Sequence, residues 1–187
     1  WVTVQVPPDT EPGRYTGAIT VSPADAEPQQ LALELTVLPF DLQAPDMLYS
    51  IYYYDQPNDG EPTTSYRGKT PAQIEADLRN MKAHGILSPE SRRAFERDKM
   101  AELFEIRRRV GVGMETLLYS GIGVGYNNPT EERLETLKKE LTEFMDFARP
   151  WGFKDIYFYG ADERKGEALK AQRPAWQAAR DVGAKVW

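Results

Sequence analysis

The sequence contains no cysteine and only one histidine, His84, in 187 residues. Without thiols there is neither a disulfide framework nor a thiolate nucleophile, and compartment cannot be read from cysteine usage. One imidazole without a thiolate makes a zinc site improbable, so no metal is expected. A serine triad would have to recruit that same His84. It falls at the carboxyl end of a predicted helix, where an imidazolium complements the dipole instead. Cationic excess is also missing: 23 Lys and Arg face 29 Asp and Glu, for a net charge of −6. That balance argues against a nucleic-acid partner, which needs cations to track phosphates. The one strong basic run, Arg107 to Arg109, lies late in a predicted helix and reads as structural. No apolar run is long enough to span a membrane, and no signal-peptide pattern is present. The dinucleotide fingerprint is absent as well. Gly121-Ile122-Gly123-Val124-Gly125 has G-x-G-x-G spacing, and Tyr126-Asn127-Asn128-Pro129 separates it from the next helix. It reads as a mobile active-site loop, and no cofactor is expected.

What is present is a core-forming composition, 41% hydrophobic and 11% aromatic, beyond the range of a disordered chain. Residues 1–40 alternate as strands. Val2, Val4 and Val6 are followed by Pro7-Pro8; Tyr15, Gly17, Ile19 and Val21 follow a turn; Leu31, Leu33, Leu35 and Val37 form the cleanest run. Half-buried strands of this kind predict the end of a β-sandwich. Pro12-Gly13-Arg14-Tyr15 resembles the turn and tyrosine that open a late strand in immunoglobulin-like sandwiches. Forty residues cannot close a sandwich core. Residues 41–46 read as a linker.

From Met47 the pattern changes to strand followed by helix. Strands are predicted over 47–54, 86–87, 114–119, 155–159 and 185–187. Helices open at Thr70-Pro71, Ser88-Pro89 and Asn128-Pro129-Thr130-Glu131, and a last one contains Arg173-Pro174; closing glycines are Gly85, Gly111, Gly152 and Gly183. This is the repeat of parallel α/β folds, and residues 47–187 predict the N-terminal half of a (β/α)₈ TIM barrel, with a doubly wound sheet as the alternative. Because the chain starts inside one strand pattern and stops inside another, it reads as an internal fragment. It is expected to be insoluble or oligomeric, and inactive, by itself.

Chemistry in such folds sits at the carboxyl ends of strands. The run Ile156-Tyr157-Phe158-Tyr159 passes through Gly160-Ala161 into two adjacent acids, Asp162 and Glu163. They read either as a catalytic pair or as a solvated acidic cap. Tyr54, Tyr119, Tyr126 and Tyr159 lie near strand ends, and aromatic faces beside carboxylates suit a sugar site, though each tyrosine alone also suits packing. Two acids in sequence share one backbone segment, with Cα atoms about 3.8 Å apart. They cannot easily flank a glycosidic bond as the acid and nucleophile of a retaining enzyme do, about 5–5.5 Å apart. An adjacent pair instead suits a mechanism in which the substrate supplies its own nucleophile.

The stretches VPPDTEPGRYTGAITV, LELTVLPFDLQAP, TPAQIEADLRNMKAHGI and IYFYGADER together resemble bacterial proteins grouped around glycoside hydrolase family 123, the β-N-acetylgalactosaminidases and their relatives. The resemblance implies a β-sandwich followed by a (β/α)₈ barrel with an Asp-Glu pair at the end of its fourth strand. It implies a retaining, substrate-assisted glycosidase acting on terminal N-acetylhexosaminides, with galactosamine favoured. Glu163 would be the general acid and Asp162 would orient the 2-acetamido group. It also implies an amino-sugar glycoside as partner and a secreted or periplasmic location. Two alternatives stay open: a non-catalytic glycan-binding or scaffold protein, and a two-carboxylate glycosidase whose nucleophile lies on a later strand.

Overall fold

The computed structural model describes residues 1–43, 46–65 and 68–187. Ala44 and Pro45 of the linker, and Tyr66 and Arg67 of the long loop after Tyr54, lie outside the described residues. The chain divides into two compact units, Trp1–Asp46 and Met47–Trp187.

In the first unit two nine-residue strands, β1 (Gly13–Val21) and β2 (Gln29–Val37), pair antiparallel. Tyr15 faces Leu35, Gly17 faces Leu33 and Ile19 faces Leu31, so the apolar alternation of both strands falls on one side. Arg14 and Glu34 form an ion pair from the other side. The Tyr15 hydroxyl donates to the Glu11 carbonyl at 2.8 Å, tying the strand back to the turn that opens it. The strand expected at Val2 to Val6 is not formed. Its alternation meets no neighbouring ladder among the described residues, and a strand without a partner leaves its backbone groups to water.

The second unit alternates helices with a parallel sheet. Its elements are α1 (Pro71–Ala83), α2 (Arg97–Val110), β3 (Thr116–Tyr119), α3 (Glu131–Ala148), β4 (Asp155–Phe158), α4 (Gly166–Lys170), α5 (Arg173–Asp181) and β5 (Lys185–Val186). β3, β4 and β5 are parallel and lie side by side in chain order. No barrel is closed by these strands. Among the described residues no helix is long and apolar enough to cross a membrane.

The helix boundaries follow local chemistry. Thr70 caps α1 in a reciprocal box, its hydroxyl accepting from the Gln73 N–H at 3.3 Å while Gln73 Oε1 accepts from the Thr70 N–H at 3.1 Å. Gln73 Nε2 also donates to the Thr63 carbonyl at 2.7 Å, so one side chain holds both the helix start and the preceding loop. Thr70→Ala is therefore expected to lower stability by about 1 kcal/mol in urea denaturation. Thr130 caps α3 by accepting from the Arg133 N–H at 3.2 Å. Beyond α3, one 3₁₀ turn (Arg149–Trp151) ends at Gly152, whose φ of 110° only glycine adopts readily.

Phe144 of α3 fixes the sheet to the helices. Its ring stacks on Tyr119 with centroids 3.9 Å apart and meets the Phe158 ring edge-on at 5.7 Å. Tyr119 and Phe158 are register partners on β3 and β4, so this face of the sheet is the helix face. Residues one position away along each strand point to the other face, away from the helices.

Two segments depart from the sequence expectation. Residues 47–54 and 86–87 do not form strands, and α2 starts at Arg97 rather than near Ser88. Pro89, lacking an N–H, cannot carry a ladder on from residues 86–87. What remains is a set of single contacts in strand order. The Glu90 N–H donates to the Ile51 carbonyl at 3.0 Å, the Ser91 N–H to Leu118 at 2.8 Å and the Ser120 N–H to Ser91 at 3.0 Å. Ser91 thereby makes an isolated parallel bridge to Tyr119. Residues 88–92 therefore run alongside β3 instead of opening a helix.

Candidate functional site

Register decides which side chains share the face away from the helices. Because Tyr119 and Phe158 face α3, Ser120 and Tyr159 lie on the opposite face. Trp187, two positions beyond Lys185 of β5, is level with Tyr159: the Gly160 N–H donates to the Trp187 carbonyl at 2.9 Å, and the Trp187 N–H to Phe158 at 3.1 Å. Ser91 bridges Tyr119, so Glu90 and Arg92 on either side of it also face away from the helices.

Ring contacts bring this face together at its carboxyl end. Tyr159 meets Trp187 edge-on at 4.9 Å and Tyr52 at 6.3 Å, and Tyr52 lies 6.0 Å from Trp187. The Arg92 guanidinium sits among the rings, 5.2 Å from Tyr52, 5.4 Å from Tyr54 and 5.8 Å from Tyr159. An open cleft of about 410 Å³ is lined by Ser50, Ile51, Tyr52 and Trp187. A larger cleft of about 640 Å³ lies within residues 6–42 of the first unit, but its lining is mainly proline and aliphatic and its only acid is Asp41.

The acid pair adjoins this basin. Hydrogen bonding to Tyr52, then burial, then hydrogen bonding to Asp162 push the Tyr159 hydroxyl well above the usual phenol range. Asp162 is thus coupled to the aromatic cluster through Tyr159. Both acids are exposed. Glu163 has a φ of 51°, in the left-handed region, at a cost of about 1–2 kcal/mol for a residue with a Cβ. Strain of this kind is characteristic of functional turns.

The four sequence-predicted tyrosines separate. Tyr159 and Tyr54 belong to the basin. Tyr119 lies outside it: its ring is fully buried on the helix face, stacked on Phe144, and its hydroxyl donates to the Arg93 carbonyl at 3.0 Å. A ligand in the basin cannot reach it, so its role is packing. Tyr126 is half-buried under the Arg133 guanidinium, 4.5 Å from its ring, and its hydroxyl accepts from the same side chain. It anchors its loop to α3.

That loop, the glycine-rich segment 121–125, is packed against the exit of β4. Val124 is fully buried and its N–H donates to the Tyr159 carbonyl at 2.9 Å. A Cβ on Gly125 would come within 2.8 Å of the Gly160 carbonyl oxygen, whereas one on Gly123 would meet nothing within 4 Å. Gly125→Ala is expected to displace Gly160-Ala161, the segment leading to the acids. It should lower Tm by several degrees and alter near-UV circular dichroism, with Gly123→Ala as the unaffected control.

Behind the basin lies a buried ionic network that sequence reasoning missed. Asp55 and Arg107 are both fully buried with their charges 3.8 Å apart. Asp55 also accepts from the Arg92 N–H at 3.2 Å, and Arg107 donates to the Pro89 carbonyl at 2.8 Å. Together they grip both ends of the segment that carries Glu90. Burial pushes the Asp55 carboxyl up against the opposing pull of Arg107, and pushes the Arg107 guanidinium down. Next to them Tyr53 donates to Asp77 of α1 at 2.9 Å, which Lys69 also contacts. The predicted strand between α1 and α2 stops at residue 87; reading Ser88-Pro89 as a helix start hides the run of residues 88–92 alongside β3.

Among the described residues no group of three or more His, Asp or Glu side chains is arranged to hold a metal ion. Comparisons with protein-family models, with curated proteins and with solved structures find no match for this chain.

Proposed function

We propose that the protein is a glycoside hydrolase acting on terminal N-acetylhexosaminides, galactosamine-type favoured, by a retaining, substrate-assisted mechanism. The observation that carries this reading is the adjacent Asp162-Glu163 pair following β4, coupled through Tyr159 to the rings of Tyr52 and Trp187. Aromatic faces bind the apolar faces of sugar rings, and acids nearby act on the polar edges. Asp162 would hold the 2-acetamido N–H, so that the carbonyl oxygen attacks the anomeric carbon. Glu163 would protonate the departing oxygen. Neighbours along one backbone approach a sugar from one side, which favours a nucleophile from the substrate over one from the second carboxylate.

The same reading treats residues 47–54, 88–92 and β3 to β5 as five successive strand positions of a (β/α)₈ barrel. Their contacts run in chain order, from Ile51 to Glu90, Ser91 to β3, and β3 through β5. The hydrogen bond from Tyr15 to Glu11 supports an immunoglobulin-like origin for the hairpin.

The exposure of Glu163 favours a second reading, a glycan-binding protein without turnover. Chromophore release by the full-length protein from 4-nitrophenyl N-acetyl-β-D-galactosaminide and the corresponding glucosaminide separates the two. The hydrolase reading expects release from at least one of them and none from the plain β-galactoside or β-glucoside. Binding without release selects the second reading, and comparable release from the plain glycosides ends substrate assistance.

A further inference from the structure

Glu90 is fully buried, and apart from the neighbouring Ser120 hydroxyl neither of its carboxylate oxygens has a hydrogen-bond partner among the described residues. Leaving such a group unpaired is costly, because burial removes water without replacing it. Its position is nevertheless tightly specified. The Glu90 N–H is bound to Ile51, the carbonyl of preceding Pro89 to Arg107, and the N–H of Arg92, two positions on, to Asp55. The segment is held so that Glu90 and Arg92 share the face of Tyr52 and Tyr159, while Ser91 turns toward the helix side. Ser120, whose buried hydroxyl lies beside the Glu90 carboxyl, is on that face as well. Burial pushes the Glu90 carboxyl up, the Ser120 hydroxyl and the Arg92 charge pull it down, and Asp55 adds to the rise.

We propose that Glu90 is a sugar-binding carboxylate of the basin, its free oxygens reserved for hydroxyl donors of the bound pyranoside. The proposal rests on the glycan reading above and assigns the selection of ring hydroxyls to Glu90, separate from the chemistry at Asp162 and Glu163. Sugar hydroxyls are good donors, and a carboxylate can accept from two neighbouring ones. Access requires Arg92 to move. Its guanidinium is held by ring faces, with no side-chain ion pair or hydrogen bond among the described residues. It occupies the surface on which a pyranose would stack. A sugar that displaces it from Tyr52 and Tyr159 opens the way to Glu90 and Ser120.

The test is calorimetric titration of the intact protein and Glu90→Gln with methyl N-acetyl-β-D-galactosaminide, the gluco epimer, and the 3-, 4- and 6-deoxy derivatives of whichever binds, alongside Tm. Glu90→Gln keeps the shape and removes the charge. It is expected to weaken the parent sugar about ten- to a hundred-fold, and to bind at least one deoxy sugar as well as wild type does, since that sugar lacks the hydroxyl concerned. Tm should hold or rise, because an unpaired buried charge has been removed. Undiminished affinity for the parent sugar in Glu90→Gln overturns the proposal and leaves the glycan reading standing. A lowered Tm with equal weakening for every deoxy sugar also overturns it, marking a structural role. If wild type binds neither epimer, the glycan reading itself fails and the proposal falls with it.

Discussion

Asp55→Ala is expected to destabilise the second unit by about 3–5 kcal/mol, as removal of one partner from a buried ion pair does elsewhere. The loss comes from the charge left behind more than from the attraction removed. Arg107 is fully buried and 3.8 Å from Asp55, and its side-chain hydrogen bond to the Pro89 carbonyl does not neutralise it. The substitution also strips the Arg92 N–H of its acceptor in a part-buried position, a further loss. Urea unfolding followed by tryptophan fluorescence reads the effect, since Trp151, Trp176 and Trp187 all belong to this unit. The paired variant Asp55→Leu with Arg107→Met removes both charges and should be less destabilised than Asp55→Ala alone. Simple addition of the two single effects would show that the charges do not depend on each other.

That network is also where reading the sequence stopped short. Arg107 was legible only as one of three arginines late in a helix, where cations suit the dipole. Nothing local separates it from Arg108, which lies over Trp151, or Arg109, which pairs with Glu75. Only the packing of α2 against residues 88–93 makes Arg107 the buried one. By contrast, α1 and α3 could be read from their own caps, because Thr70 with Gln73 and Thr130 with Arg133 settle each start within one turn. Helix stops were equally local, with Gly85, Gly111, Gly152 and Gly183 all at positive φ.

Strands are harder because they exist through their partners. Val2 to Val6 alternates as cleanly as β1 yet forms no ladder. Ser88-Pro89 has the chemistry of a helix start, and long-range contacts to Ile51 and Leu118 override it. Faces are harder still. Tyr119 and Tyr159 both end a strand, but Tyr119 is level with Phe158, so the two tyrosines point to opposite sides of the sheet. Proximity to a strand end could not distinguish packing from site; register could. The placement of Asp162 and Glu163 after β4 needed only a strand and its direction. The grouping of Tyr52, Arg92 and Trp187 needed the alignment of separate strands.

Glu163→Gln and Asp162→Asn should then differ in which substrates they spare. If Glu163 protonates the leaving oxygen, its loss matters in proportion to the need for a proton. General acid catalysis contributes about 10²–10⁴-fold, so hydrolysis of alkyl or disaccharide N-acetylhexosaminides should fall by that order in Glu163→Gln. The 4-nitrophenyl glycoside, whose leaving group departs as a stable anion, should lose much less. Asp162→Asn should slow both substrates together, because the attacking acetamido oxygen is equally misplaced whatever the leaving group. It should also disturb Tyr159, whose hydroxyl Asp162 helps push above the usual phenol range. Tyr159→Phe separates that contribution: it removes the hydroxyl, keeps the ring against Trp187, and leaves the Asp162 side chain in place. Parallel losses on both substrates in Glu163→Gln would move the acid role to another carboxyl. A leaving-group dependence in Asp162→Asn as steep as that in Glu163→Gln would exchange the two assignments. Fold-changes in kcat/KM on matched alkyl and aryl glycosides for the three variants decide between these outcomes.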